Sequence, residues 1–131
     1  MHKPYEQIKG HVADFRVSYR FLTPEEGGRK TIPYQGIRCD FRYESEYHER
    51  PELIFMIWPE FEDNTGNIIL ESDIAVPVSG NARMWIIAAE RRAYHRRRIH
   101  VGTKGNFMEG ARKTAECTVI EILGLMTNPT S

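Results

Sequence analysis

Residues 11–22 read HVADFRVSYRFL. The odd positions are His11, Ala13, Phe15, Val17, Tyr19 and Phe21, and the even ones include Asp14, Arg16, Ser18 and Arg20. Successive side chains of a strand point to opposite sides, so this alternation predicts a strand with one buried face. Residues 35–43 repeat the pattern, with Ile37, Cys39, Phe41 and Tyr43 on one face and Arg38, Asp40 and Arg42 on the other. Between the two lies TPEEGGRKTIPYQG, residues 23–36. Pro24 fixes one backbone angle, and Gly27 and Gly28 tolerate positive φ, so the chain can reverse there. The stretch is longer than a two-residue hairpin and is expected to be a structured link between antiparallel strands.

Working outward, further strands are expected at 52–58, 67–76, 83–90, 96–102 and 114–123. Ile68, Leu70, Ile74 and Val76 alternate again, and Pro59, Asn64-Thr65-Gly66 and Ser79-Gly80-Asn81 punctuate the boundaries. No window carries a sustained apolar stripe at i, i+3, i+4, i+7. Residues 82–90 have helical propensity but lie between turn signals and are read as a strand. Six or seven short strands predict an all-β fold, a closed antiparallel barrel that leaves no strand edge exposed. The expected layout is an N-terminal arm at 1–10, one barrel domain at 11–124 and a frayed polar tail at 125–131.

Composition narrows the function. The chain has 131 residues, 40% of them hydrophobic and 27% charged. That supports one domain with its own core. Eighteen basic residues balance eighteen acidic ones, so the whole molecule is not drawn to nucleic acid or to a membrane. No apolar run approaches the roughly 20 residues that span a bilayer. The N-terminal MHKPYEQIKGHVADF carries no apolar h-region, so no secretory signal is expected. Cys39 and Cys117 match no metal or redox spacing and are expected to be reduced, buried thiols of a cytoplasmic protein. The charge is unevenly spread, however. Asp40 to Asp73 holds ten acidic residues against Arg42 and Arg50, whereas Arg91 to Lys104 holds six basic residues, two histidines and no acid.

Catalytic signatures are missing. Gly105 to Gly110 has phosphate-loop spacing, but Ala111 and Arg112 follow it in place of the lysine and hydroxyl residue. There is no G-x-S-x-G, H-E-x-x-H or C-x-x-C. His95 and His100 are five apart, on opposite faces of a strand, so no metal site is expected; neither is a cofactor. His11 is read as a core or rim histidine, and Tyr47-His48-Glu49 as a solvated loop. The sharpest local signal is Arg91, Arg92, Tyr94, Arg96, Arg97 and Arg98. Arginine forks bind phosphate bidentately and a tyrosine can stack on a base. The same run could instead be a solvated or ion-paired face, or the seat of an acidic protein partner.

The run Phe21-Leu22-Thr23-Pro24-Glu25-Glu26-Gly27-Gly28-Arg29, then Gly36-Ile37-Arg38 and Phe41, resembles the C-terminal β-barrel domain of elongation factor Tu. The end is also similar, through Glu109-Gly110-Ala111-Arg112 and the strand Val119-Ile120-Glu121-Ile122-Leu123. The similarity spans roughly residues 11–124. It implies a stand-alone six-stranded barrel descended from a domain that touches the T-stem of tRNA and the factor's own GTPase domain. By position it implies contact roles for Arg29, Lys30 and Arg38. The combined expectation is a non-catalytic binding module for RNA or tRNA, or for a translation-associated protein. Its sites would be Arg29, Lys30, Arg38, Arg91, Arg92, Tyr94, Arg96, Arg97 and Arg98. No membrane or sequence-specific DNA partner is expected. The alternative is a protein–protein or self-association module; a small-molecule enzyme in the barrel mouth ranks third.

Overall fold

The alternation at 11–22 produces β1, Phe15–Phe21, whose residues Phe15, Val17, Tyr19 and Phe21 are all buried. A computed structural model describes residues 1–131. After the short helix α1 (Tyr5–Lys9) and β1 come β2 (Asp40–Tyr43), β3 (Ile57–Phe61) and β4 (Ser79–Ile86). The helix α2 (Arg92–Arg96), β5 (Lys104–Glu109) and β6 (Arg112–Ile122) follow. The strands form one antiparallel sheet in the order β2-β5-β6-β1-β4-β3. β1 therefore lies near the centre, between β6 and β4. A register shift between Arg16 and Val17 bends it against β6, as a β-bulge does.

The sheet curls into a half-barrel around an aromatic core. Tyr19, Phe21, Phe61 and Phe107 pack with ring centroids 5.1–6.4 Å apart, mostly edge to face. Such offset geometries suit the ring quadrupoles. The outer strands meet at one point, where Phe41 and Phe55 exchange two backbone hydrogen bonds of 2.8 Å. No longer ladder joins those two edges. No helix is long and apolar enough to cross a membrane.

Several sequence expectations are corrected. Residues 67–76 are not a strand; they form the isolated bridges Glu62–Ile68 and Tyr34–Ala75, and the Ile69 N–H bonds Phe61 O of β3 at 3.1 Å. Of the alternating set only Val76 is buried; Leu70 and Ile74 are exposed, and Ile69, from the other face, is buried instead. Glu71, Ser72 and Asp73 break the parity and are poor strand formers. Residues 96–102 are the end of α2 and a turn. The strand expected at 52–58 starts only at Ile57, and the one at 83–90 runs instead from Ser79 to Ile86. β5 was not expected because Gly105, Asn106, Phe107 and Met108 are all buried, so it shows no alternation. The tail is docked, with Leu125 and Asn128 buried. The backbone of Asn128 bonds Gly124 O at 2.7 Å, and its side chain bonds Val12 O at 2.9 Å.

Local motifs explain themselves physically. Thr23 and Glu26 form a capping box around a single helical turn, each backbone N–H meeting the other side chain. Arg20 bonds the Glu26 carboxylate and holds its pKa near 2. A Cβ at Gly28 would lie 2.3 Å from the Leu22 carbonyl oxygen. A Cβ at Gly105 would lie 2.3 Å from the ring of the fully buried Phe41. Gly105→Ala is therefore expected to lower the unfolding free energy by about 1–3 kcal/mol, measured by urea denaturation, as overpacking a filled core does.

Candidate binding surface

Asp14 sets the position of the basic run. Its side chain is fully buried just ahead of the start of β1. It accepts hydrogen bonds from the Ile86 N–H (2.8 Å), Asn128 Nδ2 (2.9 Å) and Arg92 Nε (2.8 Å). Arg92, 2% exposed, also donates to Ile86 O at 2.9 Å and to Pro129 O. A buried charge needs such a partner set, since an unpaired ion in a low-dielectric interior is strongly disfavoured. The pair fixes α2 across the ends of β1 and β4.

The remaining basic residues separate into different environments. Arg96 is half-buried and donates to Leu125 O and Asn128 O, each at 2.8 Å, tying α2 to the tail. Arg98 pairs with Glu46 at 2.5 Å and lies 4.3 Å over the Tyr94 ring. Tyr94, also 5.4 Å from Phe55, is half-buried against protein groups. Arg91 and Arg97 are exposed and make no ion pair. The sequence run thus does not form one exposed patch. Arg92 and Arg96 face inward, Arg98 is paired, and Arg91 and Arg97 alone stay free.

The residues named by family resemblance also lie apart from one another in kind. Arg29 donates to Thr31 O at 3.0 Å and pairs with Glu109 at 2.6 Å, joining the Gly27-Gly28-Arg29 turn to the β5–β6 hairpin. Lys30 is exposed. Arg38 is exposed and lies 4.8 Å over the Trp58 ring. The acidic stretch is likewise used internally. Glu60, 1% exposed, accepts from His2 Nε2, the Tyr5 N–H and Trp85 Nε1. Glu62, 2% exposed, pairs with Arg16 and Arg83. The two charge runs meet through one ion pair, Arg98 with Glu46.

Beside α2 lies a cleft of about 260 Å³ that sequence reasoning missed. Residues 53–56, Ile86 and Ala88 supply apolar walls, with Arg91 and His95 as its charged and polar members. Met56 is 51% exposed, whereas Leu53, Ile54 and Phe55 are half-buried. His95 is fully buried and its Nδ1 is 2.6 Å from the Tyr43 hydroxyl. Burial first, then Arg98, pushes its pKa down to about 4. His11, read as a strand residue, sits ahead of β1 and packs 5.6 Å from Trp85. His100 is exposed, well apart in environment from His95. Cys39 and Cys117 are buried free thiols whose pKa values burial raises, that of Cys117 to about 12. No group of three or more His, Cys, Asp or Glu side chains converges as metal ligands would.

No protein family and no curated protein matches this chain.

Breaking the buried pair by Arg92→Met or Asp14→Asn is expected to lower the unfolding free energy by about 3–5 kcal/mol. Arg97→Ala, at an exposed and unpaired site, is expected to change it by less than about 0.5 kcal/mol in the same urea titrations. His95 gives a pH signature. The unfolded ring titrates at its ordinary 6.5, whereas the folded ring stays neutral to about 4. The unfolded state takes up that proton first, so stability falls as pH drops from 6.5 toward 4, by about 3 kcal/mol. His95→Phe is expected to flatten that segment of the stability–pH curve.

Proposed function

We propose that this chain is a non-catalytic binding module whose partner is a protein carrying apolar and acidic groups side by side. One observation carries the reading. Of the five arginines at 91–98, Arg92 and Arg96 are engaged as internal braces and Arg98 is ion-paired. Of the free pair, Arg91 lines a cleft with the exposed Met56 and the half-buried Leu53 and Ile54, and Arg97 is exposed just past α2. Protein interfaces combine an apolar centre with arginine anchors. RNA binding draws on a track of free cations that release counterions along the phosphates, with open aromatic platforms for bases. Arg98 covers Tyr94, and two free arginines make a short track.

The fold reading goes with this. We read the curled sheet as a barrel akin to the C-terminal domain of elongation factor Tu. The Arg29–Glu109 contact, which brings the two resembling motifs together, supports that kinship. The unbridged Cys39 and Cys117 fit a reducing, cytoplasmic setting.

A photo-reactive residue in place of Met56, activated in cells, tests the partner class. The expected adduct is removed by protease, survives nuclease and disappears when Arg91→Glu is added. A nuclease-sensitive adduct, or a discrete shift of labelled tRNA at low salt that fades as salt rises, would overturn the protein reading in favour of RNA.

A further inference from the structure

His95 leaves one polar atom unanswered. Its Nε2 is buried and has no hydrogen-bond partner. The Tyr43 hydroxyl, buried and held protonated by that burial, bonds only Nδ1. If Nδ1 carried the proton, both the Tyr43 hydrogen and the Nε2 lone pair would lack partners. If Tyr43 donates to Nδ1, a single Nε2–H donor is left over. Buried donors are disfavoured when unpaired, so the second arrangement has fewer unsatisfied groups. The ring then offers a neutral N–H donor, and its aromatic neighbours Phe55, Tyr94 and Tyr43 supply no acceptor to it.

That ring borders the cleft beside α2, whose other polar member is the unpaired Arg91 and whose walls are residues 53–56, Ile86 and Ala88. We infer that this cleft is a binding site for a small apolar carboxylate. One carboxylate oxygen accepts from His95 Nε2–H and the other meets the Arg91 guanidinium, while a short aliphatic or single-ring body packs on the apolar walls. A guanidinium favours carboxylate because its fork matches the two oxygens. The volume of about 260 Å³ lies just under the roughly 300–1,000 Å³ of ordinary ligand pockets, which restricts the body to a small one. A free short-chain acid and the C-terminal residue of a peptide share this chemistry. The cleft shares Leu53, Ile54, Met56 and Arg91 with the proposed protein-binding face, and binding of the small acid alone is read separately from capture of a protein at Met56.

The test is an amide NMR titration of the full chain with 4-methylpentanoate, with 4-methylpentanamide as the uncharged match. Saturable shifts at residues 53–56 and 86–91 are expected, with the amide weaker by about tenfold, the worth of one charge-assisted contact. Arg91→Gln, at an exposed position, is expected to bring the acid down to the level of the amide. Adding N-acetyl-leucine separates the sources: tighter binding than 4-methylpentanoate assigns a chain terminus, weaker binding a free acid. The imidazole nitrogen spectrum supplies a readout without any substitution, and its expected proton sits on Nε2. No saturable shift, equal binding of acid and amide, or a proton on Nδ1 would overturn the site.

Discussion

The buried contact between Asp14 and Arg92 is the constraint on which the rest of the chain depends. Four separate pieces converge on the Asp14 carboxylate or the Arg92 guanidinium: the start of β1, the end of β4, α2 and the C-terminal tail. The backbone of Asp14 joins them as well, accepting from the Leu123 and Leu125 N–H groups at 3.0 and 3.1 Å. A charge pair taken out of water is favourable only when its remaining donors and acceptors are filled. Here they are filled by main-chain groups of elements far apart in sequence. The polar network therefore fixes one arrangement of those elements, whereas apolar contacts would tolerate several.

The same principle runs through the molecule. Glu60 gathers His2, Tyr5 and Trp85 and so pins the N-terminal arm to β3 and β4. Glu62 clamps Arg16 and Arg83 across three strands. Gln35 substitutes for a missing strand, giving and receiving 2.9 Å hydrogen bonds with Phe61 and donating to Ile69 O. A side-chain amide there covers the outer edge of β3, a position that would otherwise present open pairing groups. A sequence with zero net charge and two strongly polarised segments thus folds so that opposite charges meet inside. Within residues 91–98, what stays unpartnered is Arg91, Arg97 and the buried Nε2 of His95.

Legibility followed burial pattern. β1 was readable because its core face is aromatic or branched and its other face polar, so period two survives in the letters. β5 was not, since both of its faces are covered and Gly105 yields its space to the Phe41 ring. α2 was hidden for a different reason. Arg92, His95 and Arg96 turn inward on α2 and the buried Ile99 follows it, but three of the four are polar and do not register as a hydrophobic stripe. The buried Asp14 that explains Arg92 lies 78 residues away, so the letters around Arg92 do not show its partner. The cleft was invisible for a similar reason. Its walls come from residues 53–56 and 86–91, which have no common motif and meet only through the fold.

Three of the five arginines at 91–98 are engaged within the fold, Arg92 and Arg96 as internal braces and Arg98 in an ion pair. Hydrogen exchange of the individual arginine Nε–H groups, followed by NMR near neutral pH, examines that engagement directly. Slow exchange at Arg92 and Arg96, with fast exchange at Arg91 and Arg97, is the result required by the contacts described. Uniformly fast exchange across all five arginines would contradict it, because it would mean that the run is a solvated surface after all.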